Sequence, residues 1–166
     1  MLPLIILDTH VLRRALFDPH GVDDPDGRLA AEARDVLRIV WSKCYTLIFT
    51  TKLEDELSGR VVPKHGILEY ETVLRELKST FRGRGKYRPH RTNRNRHQEF
   101  SEYGEDWHLF EAASSVQGDA IVLITHEEWM LKLHAPKHPG IVIKPPWDFV
   151  DEAKDLKNCI EEPLPV

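Results

Sequence analysis

Four short stretches of the chain are predicted to be β-strands from their apolar pattern. Residues 4–7 (LIIL) and 120–125 (AIVLIT) show no polar alternation, which is typical of strands that helices cover on both faces. Residues 45–51 (YTLIFTT) are rich in β-branched and aromatic residues, and residues 141–144 (IVIK) form a short run of the same kind. The stretches 4–7 and 120–125 are therefore expected to be central strands of a sheet.

The segments between these strands have the spacing of amphipathic helices. The clearest is the segment 28–43, whose apolar face consists of Leu29, Ala33, Val36, Leu37 and Val40. Further helices are expected directly after Asp8, over a short segment after residue 51, and at about 64–79, 106–117, 126–134 and 147–162. Strands thus alternate with helices along the chain.

This alternation predicts an α/β fold, a three-layer α/β/α sandwich with a mostly parallel central sheet. The length of 166 residues is typical of one domain, which here spans residues 1–166. Within it, residues 82–100 are expected to form a flexible insertion, because glycine and proline residues disfavour regular structure there. Residues 147–162 are expected to form a helical tail.

Positive charge is concentrated in residues 82–96, which contain no acid. The segment carries +7, so the rest of the chain carries −11 within a net charge of −4. Three interpretations stay open: a solvated mobile loop, a surface that docks on an acidic protein, and a patch that binds the phosphates of a nucleic acid. In the last case the binding residues are Arg82, Arg84, Lys86, Arg88, Arg91, Arg94 and Arg96.

The cysteines and the apolar runs bear on the location of the protein. Cys44 and Cys159 lie far apart in the sequence and in no C-x-x-C pair, which fits a reducing cytoplasm and removes the usual zinc patterns. The apolar runs are too short to cross a bilayer, and the N-terminus lacks the layout of a signal peptide. We therefore expect a cytoplasmic protein that does not enter a membrane.

An aspartate, Asp8, directly follows the first predicted strand. A carboxylate is costly to bury unless it is paired or bound to a metal, and sites in parallel sheets form beyond the carboxyl ends of the strands. Three other segments carry acids to the same edge of the predicted sheet. These acids are Glu54 and Glu56, Asp106, and Glu127 and Glu128.

Each of these acids, taken singly, has an ordinary explanation. Asp106 suits the N-terminus of a helix, and the glutamates suit solvated helical surfaces. Several carboxylates at one edge, however, repel one another and raise their own pKa values unless a cation neutralises them. Mg²⁺ or Mn²⁺ is the natural occupant of such an all-oxygen site, and a metal site of this kind hydrolyses phosphodiesters. The pattern therefore favours a metal-dependent nuclease.

The histidines near these acids are expected to have lesser roles, because a metal-activated water needs no histidine base. His10 is expected to pack or to form a hydrogen bond at the start of the first helix, and His108 is expected to be structural. For His126, an ordinary partly exposed position, tuning of the site and phosphate contact stay open.

The arrangement resembles the PIN-domain nucleases over roughly residues 3–151. The sequence LDTHVL at 7–12 is similar to the opening motif of that family, which implies that Asp8 is a metal-binding acid with Thr9 beside it. The sequence DWHLFEAA, which begins at Asp106, resembles the third motif and implies that this aspartate is a metal ligand.

Two further motifs complete the resemblance. TTKLEDEL at 50–57 is similar to the second motif, in which Glu56 is the better match and Glu54 the reserve. LITHEEWML at 123–131 resembles the fourth motif, with Thr125 in place but Glu127 where an aspartate is expected. The closing KPPWDFV looks like the last strand of the family and its Pro-x-x-Phe ending.

The resemblance implies a Mg²⁺- or Mn²⁺-dependent endoribonuclease with Asp8, Glu56, Asp106 and Glu127 as its catalytic and metal-binding acids. Thr9 and Thr125 would support these ligands by hydrogen bonding. Members of the family are often toxins of toxin–antitoxin pairs and often dimers, so RNA, an antitoxin protein and a second copy of the chain are the implied partners. The alternative is a catalytically weakened PIN-like scaffold that binds RNA or a protein, which Glu127 and Trp129 in the fourth motif would suit.

Overall fold

The protein is built on a five-stranded, all-parallel β-sheet. The computed structural model describes residues 3–21, 23–116, 120–132 and 140–165. The strands are β1 (Leu4–Leu7), β2 (Thr46–Thr50), β3 (Tyr87–His90), β4 (Ile121–Ile124) and β5 (Ile141–Lys144). Their order across the sheet is β3-β2-β1-β4-β5, so β1 is the central strand. All the strands run parallel, and their carboxyl ends therefore meet at one edge.

Seven α-helices and one 3₁₀ segment are formed by the described residues. The helices are α1 (Thr9–Leu16), α2 (Arg28–Ser42), α3 (Thr51–His65), α4 (Ile67–Gly83), α5 (Trp107–Ser115), α6 (Glu128–Leu131) and α7 (Pro146–Ala153). The 3₁₀ segment, Arg94–Asp106, is interrupted by a kink at Gly104 and leads directly into α5.

The helices cover both faces of the sheet. Ile5 and Leu7 of β1 belong to one core cluster, which includes apolar residues of α1, α2, α3, α4 and α7. Leu4 and Ile6 belong to a second cluster, which includes residues of the 3₁₀ segment, α5 and α6. This division follows from the alternation of side chains along a strand. The predicted three-layer α/β/α fold is confirmed.

Several predicted elements agree with the structure. The four predicted strands are present, and α2 ends within one residue of its predicted end. Thr50 caps α3, since its hydroxyl accepts a hydrogen bond of 3.0 Å from the backbone N–H of Leu53.

The prediction that residues 82–100 lack regular structure is wrong. Tyr87–His90 forms the edge strand β3, which pairs in parallel with β2. The strand forms because its residues have partners in the core: the Tyr87 ring packs on that of Phe49 with 6.4 Å between centroids. Pro89 is tolerated because β3 is an edge strand. The 3₁₀ segment continues the regular structure beyond residue 96.

The remaining corrections concern the residues at which helices begin and end. The helix after β2 is longer than predicted and runs to His65, where Gly66, with φ +85°, separates it from α4. The predicted tail helix at 147–162 is only Pro146–Ala153, and residues 154–165 follow without a helix. Of the helix predicted over 126–134, four residues form α6, and residues 133 and 134 lie outside the described residues.

A disulfide joins Cys44 to Cys159, whose Cα atoms are 5.4 Å apart. Because disulfides persist mainly in oxidising compartments, the cysteines do not support the predicted cytoplasmic location. Lys43 also attaches the residues after α7 to the rest of the protein, since its buried ammonium donates hydrogen bonds to the carbonyls of Lys154 and Leu156.

None of the helices in the described ranges has both the length and the apolar composition needed to cross a membrane.

Candidate acidic site

Four predicted acids lie near the carboxyl edge of the sheet, between the two helical layers. Asp8 follows β1 and precedes α1, and Glu56 lies on α3 beyond β2. Asp106 immediately precedes α5, and Glu127 immediately precedes α6 beyond β4. The charges of the other three acids all raise the pKa of Asp106, so the four form one electrostatic group. We refer to Asp8, Glu56, Asp106 and Glu127 as the acidic site.

Asp8 is the most buried of these acids, with 1% of its surface exposed. The Thr125 hydroxyl donates a hydrogen bond of 2.8 Å to Asp8 Oδ2, and Thr125 Oγ1 accepts one of 2.9 Å from the backbone N–H of Glu127. Burial raises the pKa of Asp8 above its usual value, although the Thr125 hydrogen bond opposes the shift. Thr125 thereby connects the end of β1 with the start of α6.

Glu56 is held by contacts from both layers. The Thr9 hydroxyl donates a hydrogen bond of 2.9 Å to Glu56 Oε2, and His108 Nε2 lies 3.2 Å from the same oxygen. Burial raises the pKa of Glu56, but His108 and the Thr9 hydrogen bond outweigh it and leave the pKa below its usual value. The hydrogen bonds predicted for Thr9 and Thr125 are therefore both present.

Asp106 is the least stabilised member of the acidic site. Its carboxylate makes no hydrogen bond or ion pair with any residue that the structure describes. Burial, followed by the negative charges of Asp8 and Glu56, raises the pKa of Asp106 to about 7. At neutral pH this half-buried group is therefore divided between its protonated and ionised forms.

Glu127 lies at the rim of the site, and its side chain is 39% exposed. Its carboxylate is 3.7 Å from His10 Nε2, and burial together with the charge of Arg60 lowers the pKa of that histidine. Glu54 and Glu128 are directed elsewhere, since their carboxylates pair with Lys78 and Lys132. Of the two candidates on α3, Glu56 therefore lies with the other acids and Glu54 does not.

His108 is a further member of the site, although the sequence pattern indicates only a structural role. Its ring is fully buried against Glu56, and neither ring nitrogen has a partner with hydrogen-bond geometry in the described part of the chain. The sequence did contain a signal for His108: it is a polar residue two positions after Asp106, and its neighbours in the helix are apolar. His126 lies apart from the acids, between Arg14 and Glu32.

The oxygen atoms of the acidic site suit a hard divalent ion in their chemistry. Within the described ranges, however, no three His, Cys, Asp or Glu side chains are arranged closely enough to hold a metal as they stand. The raised pKa values of Asp8 and Asp106 are the electrostatic sign that a cation would be accommodated. The carboxylates are thus of the chemical kind that Mg²⁺ or Mn²⁺ binds, but the described residues do not form a metal site as they stand.

The basic segment does not form one patch, because β3 divides it. Arg82 and Arg84 precede the strand and lie toward the amino edge of the sheet, whereas residues 91–96 follow it toward the acidic site. Two hydrogen bonds from Thr92, one donated to Thr51 Oγ1 and one accepted from Lys52 N–H, attach this second part to α3.

Several of the seven predicted RNA-binding cations have other partners, among them Arg84, which pairs with Glu162 at 3.3 Å. The prediction for Lys86 is wrong, since it is 4% exposed and its ammonium donates to the Lys43 carbonyl. Arg96 pairs with Glu99 at 2.6 Å and donates to Ser115 Oγ. The exposed arginines are Arg82, Arg84, Arg88, Arg91 and Arg94.

Comparison with known proteins adds no relative: neither a protein-family model nor a curated protein matches the chain. The resemblance to PIN-domain nucleases therefore stays a prediction that depends on the motifs and the site.

Proposed function

We propose that the protein is a Mg²⁺- or Mn²⁺-dependent endoribonuclease. The observation that carries the proposal is the state of Asp106, a half-buried carboxylate without a partner among the described residues, whose pKa of about 7 is raised by burial and by the neighbouring acids. A buried carboxylate beside other acids is unfavourable in the protein alone. Such a group is expected where a positively charged ligand binds and neutralises it.

The chain supplies the ligands and their supports. Asp8 and Asp106 would hold the ion, and Glu56 would complete the set directly or through water. Thr9 and Thr125 fix the orientation of Glu56 and Asp8 by the hydrogen bonds described above. Glu127 would position a second ion or its waters.

When bound, the ion supplies an activated water and stabilises the charge that develops on the phosphodiester. The exposed Arg91 and Arg94 follow β3 on the side of the acidic site, where they would attract the phosphates of RNA. Their position supports a polyanionic substrate.

The decisive experiment compares cleavage of labelled RNA by the protein and by Asp8→Asn, in Mn²⁺ and in EDTA. Loss of a ligand charge should reduce cleavage by at least about 100-fold, beyond the 10–100-fold typical of residues that only support a ligand. Asp35→Asn is the matched control, because Asp35 pairs with Arg38 on the exposed side of α2. Unchanged cleavage by purified Asp8→Asn would contradict the proposal.

The second candidate is a PIN-like scaffold that binds RNA or a protein without hydrolysis. It is favoured by Glu127, which faces His10, and by the lack of a ready coordination shell in the described residues. Calorimetric titration with Mn²⁺ separates the two: heat of binding that Asp106→Asn abolishes supports the nuclease, and no binding at millimolar Mn²⁺ supports the scaffold. An antitoxin partner and a homodimer remain part of the proposal through the resemblance alone.

A further inference from the structure

A large open cleft adjoins the acidic site between α3 and the 3₁₀ segment. Its volume is about 720 Å³, within the range of ligand-binding clefts. Glu56 lies on its wall, so the cleft and the acidic site share a residue. Lys52, Gly59 and Arg60 line the α3 side, and His97, Glu105 and Trp107 belong to the opposite side.

Two cations in this cleft have no internal partner. Neither the Lys52 ammonium nor the Arg60 guanidinium makes a hydrogen bond or ion pair with a described residue. The charge of Lys52 reaches the acidic site, since it lowers the pKa of Glu56, and Arg60 lowers the pKa of the neighbouring His10. They are thus available to an anion that extends from the acidic site into the cleft.

The opposite wall provides an aromatic surface. The exposed ring of His97 lies on the buried indole of Trp107, with 4.7 Å between ring centroids and 52° between planes. An exposed ring that a second ring supports from behind is a platform on which a nucleobase can stack.

Gly59 lines the cleft without a side chain of its own. It is an exposed residue in the interior of α3, where glycine is unfavourable for the helix. No packing contact explains its presence, because a Cβ added at this position would meet nothing within 4 Å. A larger side chain at this position could therefore extend into the cleft beside Arg60 without a backbone clash.

We infer that this cleft binds one nucleotide of single-stranded RNA next to the phosphate at the acidic site. Lys52 and Arg60 would contact the backbone phosphates, and the base would stack on His97. The Glu105 carboxylate, which has no partner among the described residues, offers an acceptor for the ribose 2′-hydroxyl. The inference rests on the proposed function for the identity of the ligand.

The other cleft of similar size does not have these properties. It lies along α4, has a volume of about 640 Å³, and contains the Lys78 and Glu54 side chains, which pair with each other. The charges of Lys78 and Glu54 thus compensate each other, and the cleft does not include a residue of the acidic site.

The test measures binding of a fluorescent single-stranded RNA by anisotropy in EDTA, so that hydrolysis does not enter. Gly59→Leu fills the cleft without removing a polar group and should weaken binding by about tenfold or more, the loss expected when one base no longer stacks. Its melting temperature should not fall, because leucine is a better helix former than glycine. Ala31→Leu is the control, since it adds a leucine on the exposed face of α2 and should leave binding unchanged.

A second pair of variants separates stacking from charge. His97→Ala should weaken RNA binding, whereas His97→Phe should preserve it because the ring is retained. A DNA oligonucleotide of the same sequence should bind more weakly than the RNA, and Glu105→Ala, which removes the acceptor, should reduce this difference.

The outcomes distinguish this inference from the proposed function. If the protein cleaves RNA in Mn²⁺ but Gly59→Leu binds RNA as tightly as the unchanged protein, the cleft inference is wrong and the nuclease stands. If cleavage is absent but Gly59→Leu and His97→Ala both lose binding, the cleft stands and the nuclease does not. Equal loss in Ala31→Leu, or no RNA binding by the unchanged protein, would overturn the cleft inference.

Discussion

The two ends of α1 carry carboxylates in opposite electrostatic conditions. At the carboxyl end, Asp18 accepts hydrogen bonds from Arg13 at 2.6 Å and Lys64 at 3.2 Å, and His65 Nε2 lies 2.9 Å away. At the amino end, Asp8 and its neighbours in the acidic site have no lysine or arginine partner within the described residues. The helix α1 thus separates Asp18, which has cationic partners, from acids that have no lysine or arginine partner in the described part of the chain.

The pKa values record this difference. Burial opposes ionisation of Asp18, but the hydrogen bonds from His65, Arg13 and Lys64 outweigh burial and lower its pKa to about 2. Burial also opposes ionisation of Asp106, and there the nearby acids add to the effect and raise its pKa to about 7. Asp18, which stabilises the fold, has cations of the chain beside it, whereas Asp106, a ligand of the proposed metal site, has none among the described residues.

The largest effect on stability is expected for a substitution of Asp18, the acid with cationic partners. Asp18→Asn would remove the buried counter-charge of Arg13, so the free energy of unfolding should fall by about 2–3 kcal/mol. Chemical denaturation at pH 7 measures this change.

The pH dependence of the same variant gives a second readout. Stability from the Asp18 carboxylate is present above its unfolded pKa near 3.8 and is lost as the pH falls toward about 2. Asp18→Asn should remove this acid-dependent loss. Equal stability of the variant and the unchanged protein at pH 7 would show that the cationic partners of Asp18 do not stabilise the fold.

The second effect concerns Asp106, whose substitution is expected to raise the free energy of unfolding rather than to lower it. In metal-free protein, the contribution of Asp106 to stability should fall as the pH rises from about 4 to about 7, because its pKa is higher in the folded than in the unfolded chain. Asp106→Asn should reduce this slope and raise the free energy of unfolding at pH 8 by about 1–2 kcal/mol, allowing for solvent screening. Asp8, whose pKa is also raised, accounts for the slope that remains.

Thermal melts in EDTA from pH 4 to pH 8 measure this behaviour, and added Mn²⁺ should stabilise the protein most at the high end of that range. A variant that is less stable than the unchanged protein at pH 8 would show that the Asp106 carboxylate is compensated after all.

The smallest effect concerns a hydrogen bond within the acidic site. Thr9→Val keeps the shape of the side chain but removes the donor to Glu56, which should lower the free energy of unfolding by about 1 kcal/mol. Thr72→Val on α4 is the control, because among the described residues the Thr72 hydroxyl has no partner. Urea denaturation of both variants at pH 7 makes the comparison, and equal losses would mean that the Thr9 bond is not specific.

Much of the fold follows from local patterns in the sequence. Runs such as LIIL and AIVLIT carry their own evidence of burial, and α2 has a complete apolar stripe, so strands and helices could be placed without knowledge of their neighbours. The position of Asp8 at the end of a buried strand located the edge at which the other acids were expected.

The remaining features depend on distant partners, which a local pattern does not record. β3 has polar ends and a proline, and it becomes a strand because β2 and Phe49 lie beside it. Lys86 belongs to a run of cations, but its ammonium finds a buried carbonyl of Lys43. His108 and Glu56 meet only because α5 and α3 approach each other at the edge of the sheet.

The Cys44–Cys159 disulfide closes a covalent ring that holds β2, β3, β4 and β5 but leaves β1 in an open N-terminal arm. The arm nevertheless supplies the middle strand, inserted between two strands of the ring. Three acids of the site therefore belong to the ring and only Asp8 to the arm. An oxidised chain that has not yet inserted its arm would hold an incomplete set of acids, so assembly of the site is coupled to completion of the sheet.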